Sequence, residues 1–197
     1  MLTLLSTVKS RLALAATDAT YDALLERAIV GVSARFDAET NRVLARTQNA
    51  RFEFAADETE ILVPCYPVES VLKFELKTNE PGGWVEVPDV EYIVRRRCIV
   101  SLRLPLAVLS SALPPQARVT YTGGYVLPGE VLPGAESERL PAEIEQAAVE
   151  QTAFWFLTRD QPGLIRQWPK GGNYEQFADP DLLPSVREVL KHYERQG

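Results

Sequence analysis

Histidine and cysteine are scarce in this sequence. The 197 residues include one histidine, His192, and two cysteines, Cys65 and Cys98. A hydrolytic triad needs a histidine or an equivalent base beside its nucleophile. His192 lies five residues from the C-terminus, where we expect an exposed surface side chain. Neither cysteine lies in a Cys-x-x-Cys motif or beside a histidine, so a zinc site has almost no support and we expect two reduced, buried thiols.

Long apolar runs and an excess of basic residues are also missing. No run approaches the roughly 20 apolar residues that cross a bilayer, and the first residues mix polar side chains with leucines instead of forming a signal-peptide core. We therefore expect synthesis in the cytoplasm with no membrane step. The 27 acidic and 21 basic residues give a net charge of −6, and residues 126–197 alone carry 12 acidic and 7 basic residues. Tight DNA binding is not expected, because affinity for phosphate backbones comes mainly from Lys and Arg.

Proline and glycine are nearly absent from the first third of the chain. None of the 14 prolines precedes Pro64, and Gly31 is the only glycine before Gly82. A segment without these breakers can sustain helices, whereas the later part is cut into shorter pieces. The overall composition, 46% apolar, 24% charged and 9% aromatic, is that of an ordinary soluble globular protein of one domain or at most two small ones.

Two helices are predicted before residue 42. We place the start of the second at Asp18, since its carboxylate can cap the orphan amides of a first turn, and its end near Thr40 or Asn41. Both helices show apolar residues at helical spacing. These are Leu5, Val8 and Leu12 in the first helix, and Leu25, Ile29, Val32 and Phe36 in the second.

Strands are predicted next, because residues 42–104 form short β-branched or aromatic runs separated by turn residues. Residues 57–60 and 79–84 are expected as hairpin tips, the second because Gly82 and Gly83 can adopt positive φ readily. A last strand is predicted over residues 117–125.

Helical patterns return in the C-terminal part. Residues 141–158 predict a helix opened by Pro141 and apolar on most sides, which we expect at the buried centre of the fold. Prolines and glycines in residues 161–181 predict an irregular arm, followed by a closing helix within residues 182–195. The expected fold class is α+β: a helical bundle core with a β-rich insertion between the second and third main helices. We expect a single domain over residues 1–197, with sub-regions 1–41, 42–125, 140–160, 161–181 and 182–195.

Few residues suggest a catalytic, metal-binding or phosphate-binding site. Asp57, Glu58 and Glu60 can in principle hold Mg²⁺, but a solvated hairpin tip is the favoured interpretation. The glycine pairs at 123–124 and 171–172 lack the spacing of a phosphate-binding loop. We therefore expect no catalytic residues, no metal and no cofactor.

One basic run and one aromatic group remain as candidates for contact with partners. Arg95, Arg96 and Arg97 are expected on a strand, where their side chains must alternate between faces. Salt bridges with neighbouring strands or subunits are favoured, and contact with a phosphate backbone is the alternative. Trp168, Tyr174 and Phe177 lie in the arm, which cannot bury them itself. They suggest either a partner surface or docking onto their own domain.

The order of these motifs resembles that of the head–tail connector family of tailed double-stranded-DNA bacteriophages and related gene transfer agents, also called adaptor or head-completion proteins. The resemblance covers nearly the whole chain, and the order and spacing of the pieces make it specific. The pieces are LSTVKSRL (5–12), TDATYDALLERAI (17–29), LVPCYPVESVLKFEL (62–76), EYIVRRRCIVSLRLP (91–105), ARVTYTGGY (117–125), LPAEIEQAAVEQTAFWFLTRD (140–160) and LPSVREVLKHY (183–193).

The resemblance implies a structural, non-enzymatic role in the virion neck. It implies self-association into a ring, expected to be a dodecamer, beneath the portal protein, with a tail-side stopper or tail terminator as a second partner. Double-stranded DNA would pass through without specific binding, and no membrane is involved. The family's C-terminal region commonly reaches toward the portal, and that role falls on the arm residues Leu164, Ile165, Trp168, Tyr174 and Phe177. Synthesis is expected in the cytoplasm of a bacterial host.

Other functions stay open at this stage. A neck stopper or tail-completion protein is the nearest alternative, although such proteins are dominated by β structure and this chain begins and ends in helices. A metal-dependent packaging nuclease would use Asp57, Glu58 and Glu60. A DNA-binding packaging regulator would use the run from Arg95 to Arg97.

Overall fold

The structure is a computed structural model that describes residues 1–104, 115–159, 164–166, 176–177 and 182–195, with 164–166 and 176–177 described by their backbone alone. The described residues combine helices with mostly antiparallel strands, so the predicted α+β class is confirmed. The helices are α1 (Leu5–Arg11), α2 (Asp22–Thr40), α3 (Ala142–Leu157) and α4 (Pro184–Lys191). The strands are β1 (Thr47–Ala55), β2 (Glu60–Leu62), β3 (Val68–Lys77), β4 (Val85–Val87), β5 (Glu91–Arg95), β6 (Ile99–Arg103), β7 (Gln116–Gly123), β8 (Tyr125–Val126), β9 (Glu138–Arg139), β10 (Leu164–Arg166) and β11 (Gln176–Phe177). No helix among these residues is both long and apolar enough to cross a membrane.

The chain divides into two compact units. The helical unit comprises the described residues of Met1–Thr40, Leu127–Gly129 and Leu140–Glu194, and the β unit those of Asn41–Val126, Glu130–Arg139 and Arg195–Gly197. The single domain over residues 1–197 stays a prediction, since two compact units can belong to one domain.

In the helical unit, α3 contacts α1, α2 and α4. The predicted apolar stripe of α2 is buried, and α2 ends at Thr40 as expected, followed by Asn41 at a φ of 50°. A left-handed Asn is a common way to end a helix. One buried cluster joins three of the helices, and its members are Val8, Leu25, Ile29, Val149 and Phe156.

The start of α2 differs from the prediction, because Asp18 does not cap it. The Asp18 carboxylate accepts hydrogen bonds from the backbone N–H and the hydroxyl of Thr20, closing a local turn. The buried ammonium of Lys9 donates to the carbonyls of Ala16 and Asp18 and to the carboxylate of Asp22 at 2.8 Å. These bonds organise residues 16–21 as a loop, so the helix begins at Asp22, four residues later than expected.

Helix α3 matches the predicted range within one residue at each end, and half of its 16 residues are buried. Leu157 departs from the expected burial, since 68% of it is exposed. Gln151, which is polar, is fully buried, and its side-chain oxygen accepts a hydrogen bond from the backbone N–H of Leu183 at 2.8 Å. A buried polar side chain needs a hydrogen-bond partner. The partner of Gln151 lies 32 residues away along the chain, so helical periodicity does not predict it.

In the β unit, a four-stranded sheet of order β1-β7-β3-β4 and a three-stranded sheet of order β2-β6-β5 share one hydrophobic core. The predicted hairpin at residues 79–84 is confirmed, since β3 and β4 pair across it. The predicted hairpin tip at 57–60 is wrong, because β1 and β2 on either side belong to different sheets. The core draws on both sheets and includes Phe54, Ile61, Phe74, Leu76, Val100, Leu102, Val119 and Tyr121.

The predicted strand over residues 117–125 is interrupted after Gly123. Gly124 has a φ of 97°, and the chain continues as β8 at Tyr125, which exchanges backbone hydrogen bonds with Leu44 and Arg46. A Cβ on Gly123 would lie 2.4 Å from the carbonyl oxygen of Cys65, and one on Gly124 would lie 2.6 Å from that of Ala45. Glycine is required at both positions, because three backbone segments meet there.

Candidate functional site

The arm residues proposed from the resemblance are described only in part. Trp168 and Tyr174 lie outside the described residues, whereas Leu164 and Ile165 lie in β10 and Phe177 in β11. The backbones of β10 and β11 pair antiparallel, with Leu164 opposite Phe177. The predicted irregular arm therefore contains one short pair of strands, and its role as an interface stays a prediction.

The basic run is placed at the tip of the β5–β6 hairpin. Arg95 ends β5, and the backbone N–H of Cys98 donates to the carbonyl of Arg95 at 3.1 Å. Arg96 and Arg97 have φ values of 50° and 56°. Successive positive φ values are typical of tight hairpin turns, because they match the right-handed twist of the flanking strands. The expectation that all three arginines alternate along a strand is therefore wrong for Arg96 and Arg97.

The arginines that flank Arg96 have carboxylate partners within the chain. Arg95 forms a salt bridge with Glu60 at 2.5 Å, and both side chains are more than half exposed. Arg97 contacts Glu138 and lies 3.5 Å from the carboxylate of Glu136. Arg96 is exposed to solvent. The hairpin tip thus presents three arginines, of which two are already neutralised by neighbouring carboxylates.

A second ion pair, between Arg46 and Glu69, lies close to residues 136–138, which Arg97 also contacts. Arg46 binds Glu69 through two parallel hydrogen bonds, Nε to Oε1 and Nη2 to Oε2, both 2.8 Å long. Hydrogen bonds from Arg46, and further from Ser137, hold the pKa of the Glu69 carboxyl below its usual value although burial opposes this. Glu69 therefore stays ionised at neutral pH. Together with Arg97, it fixes residues 136–138 onto the β unit.

A buried arginine was not foreseen from the sequence. Arg42 is 4% exposed, and its guanidinium carbon lies 3.4 Å from the ring centre of Tyr66 and 5.3 Å from that of Tyr125. It donates to the carbonyl of Tyr66, while its Nε has no hydrogen-bond partner within the described part of the chain. Aromatic faces attract a guanidinium and partly replace its hydration. No sequence pattern shows this stack, because Tyr66 precedes β3 whereas Tyr125 lies in β8, far along the chain.

The residues that could bind a metal or act in catalysis do not lie together in one site. Asp57, Glu58 and Glu60 are exposed, and Glu60 already binds Arg95. In the described ranges, no group of three His, Cys, Asp or Glu side chains is arranged to hold a metal ion. His192 is exposed directly after α4, as expected.

The two cysteines are free thiols. Cys65 is buried, and its Sγ lies 3.1 Å from the carbonyl oxygen of Gly123. Cys98 is only half-buried, contrary to expectation, because it belongs to the turn of the β5–β6 hairpin.

Solved structures share this fold. A chain from the neck of an empty GTA (gene transfer agent) particle computed with C6 symmetry superposes with a TM-score of 0.58 at 15% sequence identity, covering 98% of this chain and 89% of that one. A chain of the virion of a native gene transfer agent particle superposes with a TM-score of 0.56 at 14% identity, covering 98% and 88%. No protein-family model matches the sequence, and no curated protein is significantly similar to it. At these identities the likeness establishes a common fold that spans nearly the full length of both chains.

Proposed function

We propose that this protein is a structural head–tail connector, or adaptor, in the neck of a phage-like particle. In this role it forms a ring beneath the portal, expected to be a dodecamer, extends the DNA channel and offers a docking surface to a tail-side stopper or tail terminator. The observation that carries the proposal is the fold shared over 98% of the chain with chains from gene transfer agent particles, one of them from a particle neck. The order of sequence motifs supports the same assignment independently.

The charge of the chain suits a channel through which DNA slides. An acidic lumen repels phosphate and keeps the duplex from sticking, and the net charge is −6. The ion pairs of Arg95 and Arg97 further reduce the positive charge available to DNA. In this proposed role the protein acts by assembly and not by catalysis.

The arm is proposed as the portal contact. Trp and Tyr are enriched among the few residues that carry most of the binding energy in protein interfaces. The arm supplies Trp168 and Tyr174 together with Leu164, Ile165 and Phe177. Replacing Trp168, the largest of them, is expected to weaken portal binding most.

Cosedimentation with the portal ring from the same genome tests this assignment. The wild-type chain is expected to bind at one copy per portal subunit, and Trp168→Ala is expected to weaken binding by about tenfold or more. Val131→Ala is the matched control, because Val131 is 88% exposed and lies outside the arm. Binding only to a portal that already carries another ring would contradict the adaptor role and identify a stopper. Equal weakening by both variants would contradict the role of the arm.

A further inference from the structure

Strand β5 is an open edge of the three-stranded sheet. The order of that sheet is β2-β6-β5, and among the described residues β5 pairs with β6 alone. The outer edge of such a strand presents unpaired N–H and C=O groups, which can bind another strand. No proline interrupts β5 to block such pairing.

The side chains of β5 are unusually exposed for a strand that contributes to a core. Ile93 is 67% exposed and Tyr92 is 44% exposed, while Val94 packs against the core. Ile93 lies on the outward face between Glu91 and Arg95. This face lines a shallow groove of about 610 Å³. An apolar centre rimmed by charged residues is the usual composition of a protein interface.

The charges of β5 are arranged symmetrically about Ile93. Glu91 lies two residues before it and Arg95 two residues after it, on the same face. If a second β5 pairs antiparallel with Ile93 opposite Ile93, Glu91 of each copy lies opposite Arg95 of the other. Opposite charges in directly facing positions stabilise a strand pair, whereas like charges destabilise it.

Charged residues of β6 and β2 add further opposite-charge contacts to those expected between the two β5 strands. In the same sheet, Glu91 lies opposite Arg103 of β6, and Arg95 forms its salt bridge with Glu60 of β2. Across the paired sheets, each carboxylate would therefore neighbour a guanidinium on both sides. A parallel pairing, or a shift by two residues, would lose this match.

We propose that the free protein self-associates through β5, forming a two-fold dimer with a continuous six-stranded antiparallel sheet. The occupant of the β5 edge is a second copy of this chain, because its charge pattern is its own complement. A two-fold contact uses the same surface on both copies and cannot propagate around a ring. The dimer is therefore distinct from the ring contact, and the inference stands independently of the proposed function.

Charge reversal at the two ends of β5 tests the proposal by analytical ultracentrifugation over a range of concentrations. Glu91→Arg alone and Arg95→Glu alone each place like charges opposite each other twice, so each is expected to raise the dissociation constant of the dimer by about tenfold or more. An equimolar mixture of the two variants restores both opposite-charge pairs. It is expected to associate within about threefold of the wild type.

Two controls keep the result interpretable. Arg51→Glu reverses an exposed charge on β1, an edge strand of the other sheet, and is expected to leave dimerisation unchanged. Circular dichroism checks that each variant is folded. A wild-type chain that stays monomeric at hundreds of micromolar would overturn the proposal. So would single variants that dimerise like the wild type, or a mixture that fails to recover.

Discussion

Gly123 and Gly124 allow three backbone segments of the β unit to pack closely together. The backbone of residues 44–46 and the carbonyls of Cys65 and Pro67 approach these glycines closely enough that any side chain would collide with main-chain atoms, which cannot rotate away. Gly124 adds a positive φ that strains any other residue. The sequence motif Thr-Gly-Gly-Tyr is thus explained by packing and not by phosphate binding.

Gly123→Ala is expected to lower the free energy of unfolding by about 2 kcal/mol or more, since a Cβ there would lie 2.4 Å from the carbonyl oxygen of Cys65. Chemical denaturation measures the change. Gly134→Ala is the control, because no atom lies within 4 Å of a Cβ at that position. Equal stability of the two variants would show that the backbone does not pass so closely.

Tyr121 is a fully buried tyrosine whose hydroxyl oxygen accepts the backbone N–H of Cys65 at 3.0 Å. Tyr121→Phe leaves this buried donor without its partner, and is expected to cost about 1–3 kcal/mol at neutral pH. Denaturation monitored by fluorescence measures it. Tyr92→Phe, at a partly exposed tyrosine, is expected to change stability by less than about 0.5 kcal/mol.

The same tyrosine predicts a pH dependence. Burial raises the pKa of Tyr121 well above its ordinary value, despite the opposing hydrogen bond from Cys65. The unfolded chain releases this proton above about pH 10 while the folded chain retains it. Stability is therefore fully present below that pH and falls as the pH rises, by up to about 1.4 kcal/mol per pH unit. In Tyr121→Phe the decline above pH 10 should be shallower, and an unchanged slope would contradict the assignment.

One arginine links the β5–β6 hairpin to the short strand β9. Arg97 reaches Glu138, which lies in β9 and pairs with Tyr125 of β8. Such a short strand has little pairing of its own, so side-chain bonds determine how firmly it is held. The ion pair thus connects the hairpin tip to the segment that leads toward α3.

Arg97→Ala is expected to increase amide hydrogen exchange at residues 138–139 by about tenfold, because the pairing of β8 and β9 then opens more often. Arg96→Ala is the control, since Arg96 is exposed at the neighbouring position of the same turn. Exchange that rises equally in both variants would assign the effect to the turn and not to the ion pair.

Periodicity predicted the elements better than their ends or connections. Helix α2 is recognisable because its apolar residues repeat every three or four positions, and α3 because it is apolar on most sides. The start of α2 was misplaced because the position of Lys9, which organises the preceding loop, depends on tertiary contacts. The hairpin predicted at residues 57–60 is wrong because turn residues show that a chain reverses but not which sheet it enters next.

The α+β class of the molecule is predictable from the distribution of prolines, glycines and periodic segments along the chain. The division into two compact units is not, since it depends on contacts between distant segments. The candidate site was predictable only as residue types. The sequence shows three adjacent arginines, but their carboxylate partners lie 35 to 41 residues away. The stack of Arg42 on Tyr66 and Tyr125 left no sequence signal at all.

Electron microscopy of the purified protein mixed with its portal is the most direct test of the proposed ring. A second ring is expected, coaxial with the portal and matching it copy for copy, with an open central channel wide enough for duplex DNA. A portal that remains bare, while the protein is folded and in excess, would show that the chain does not assemble on it.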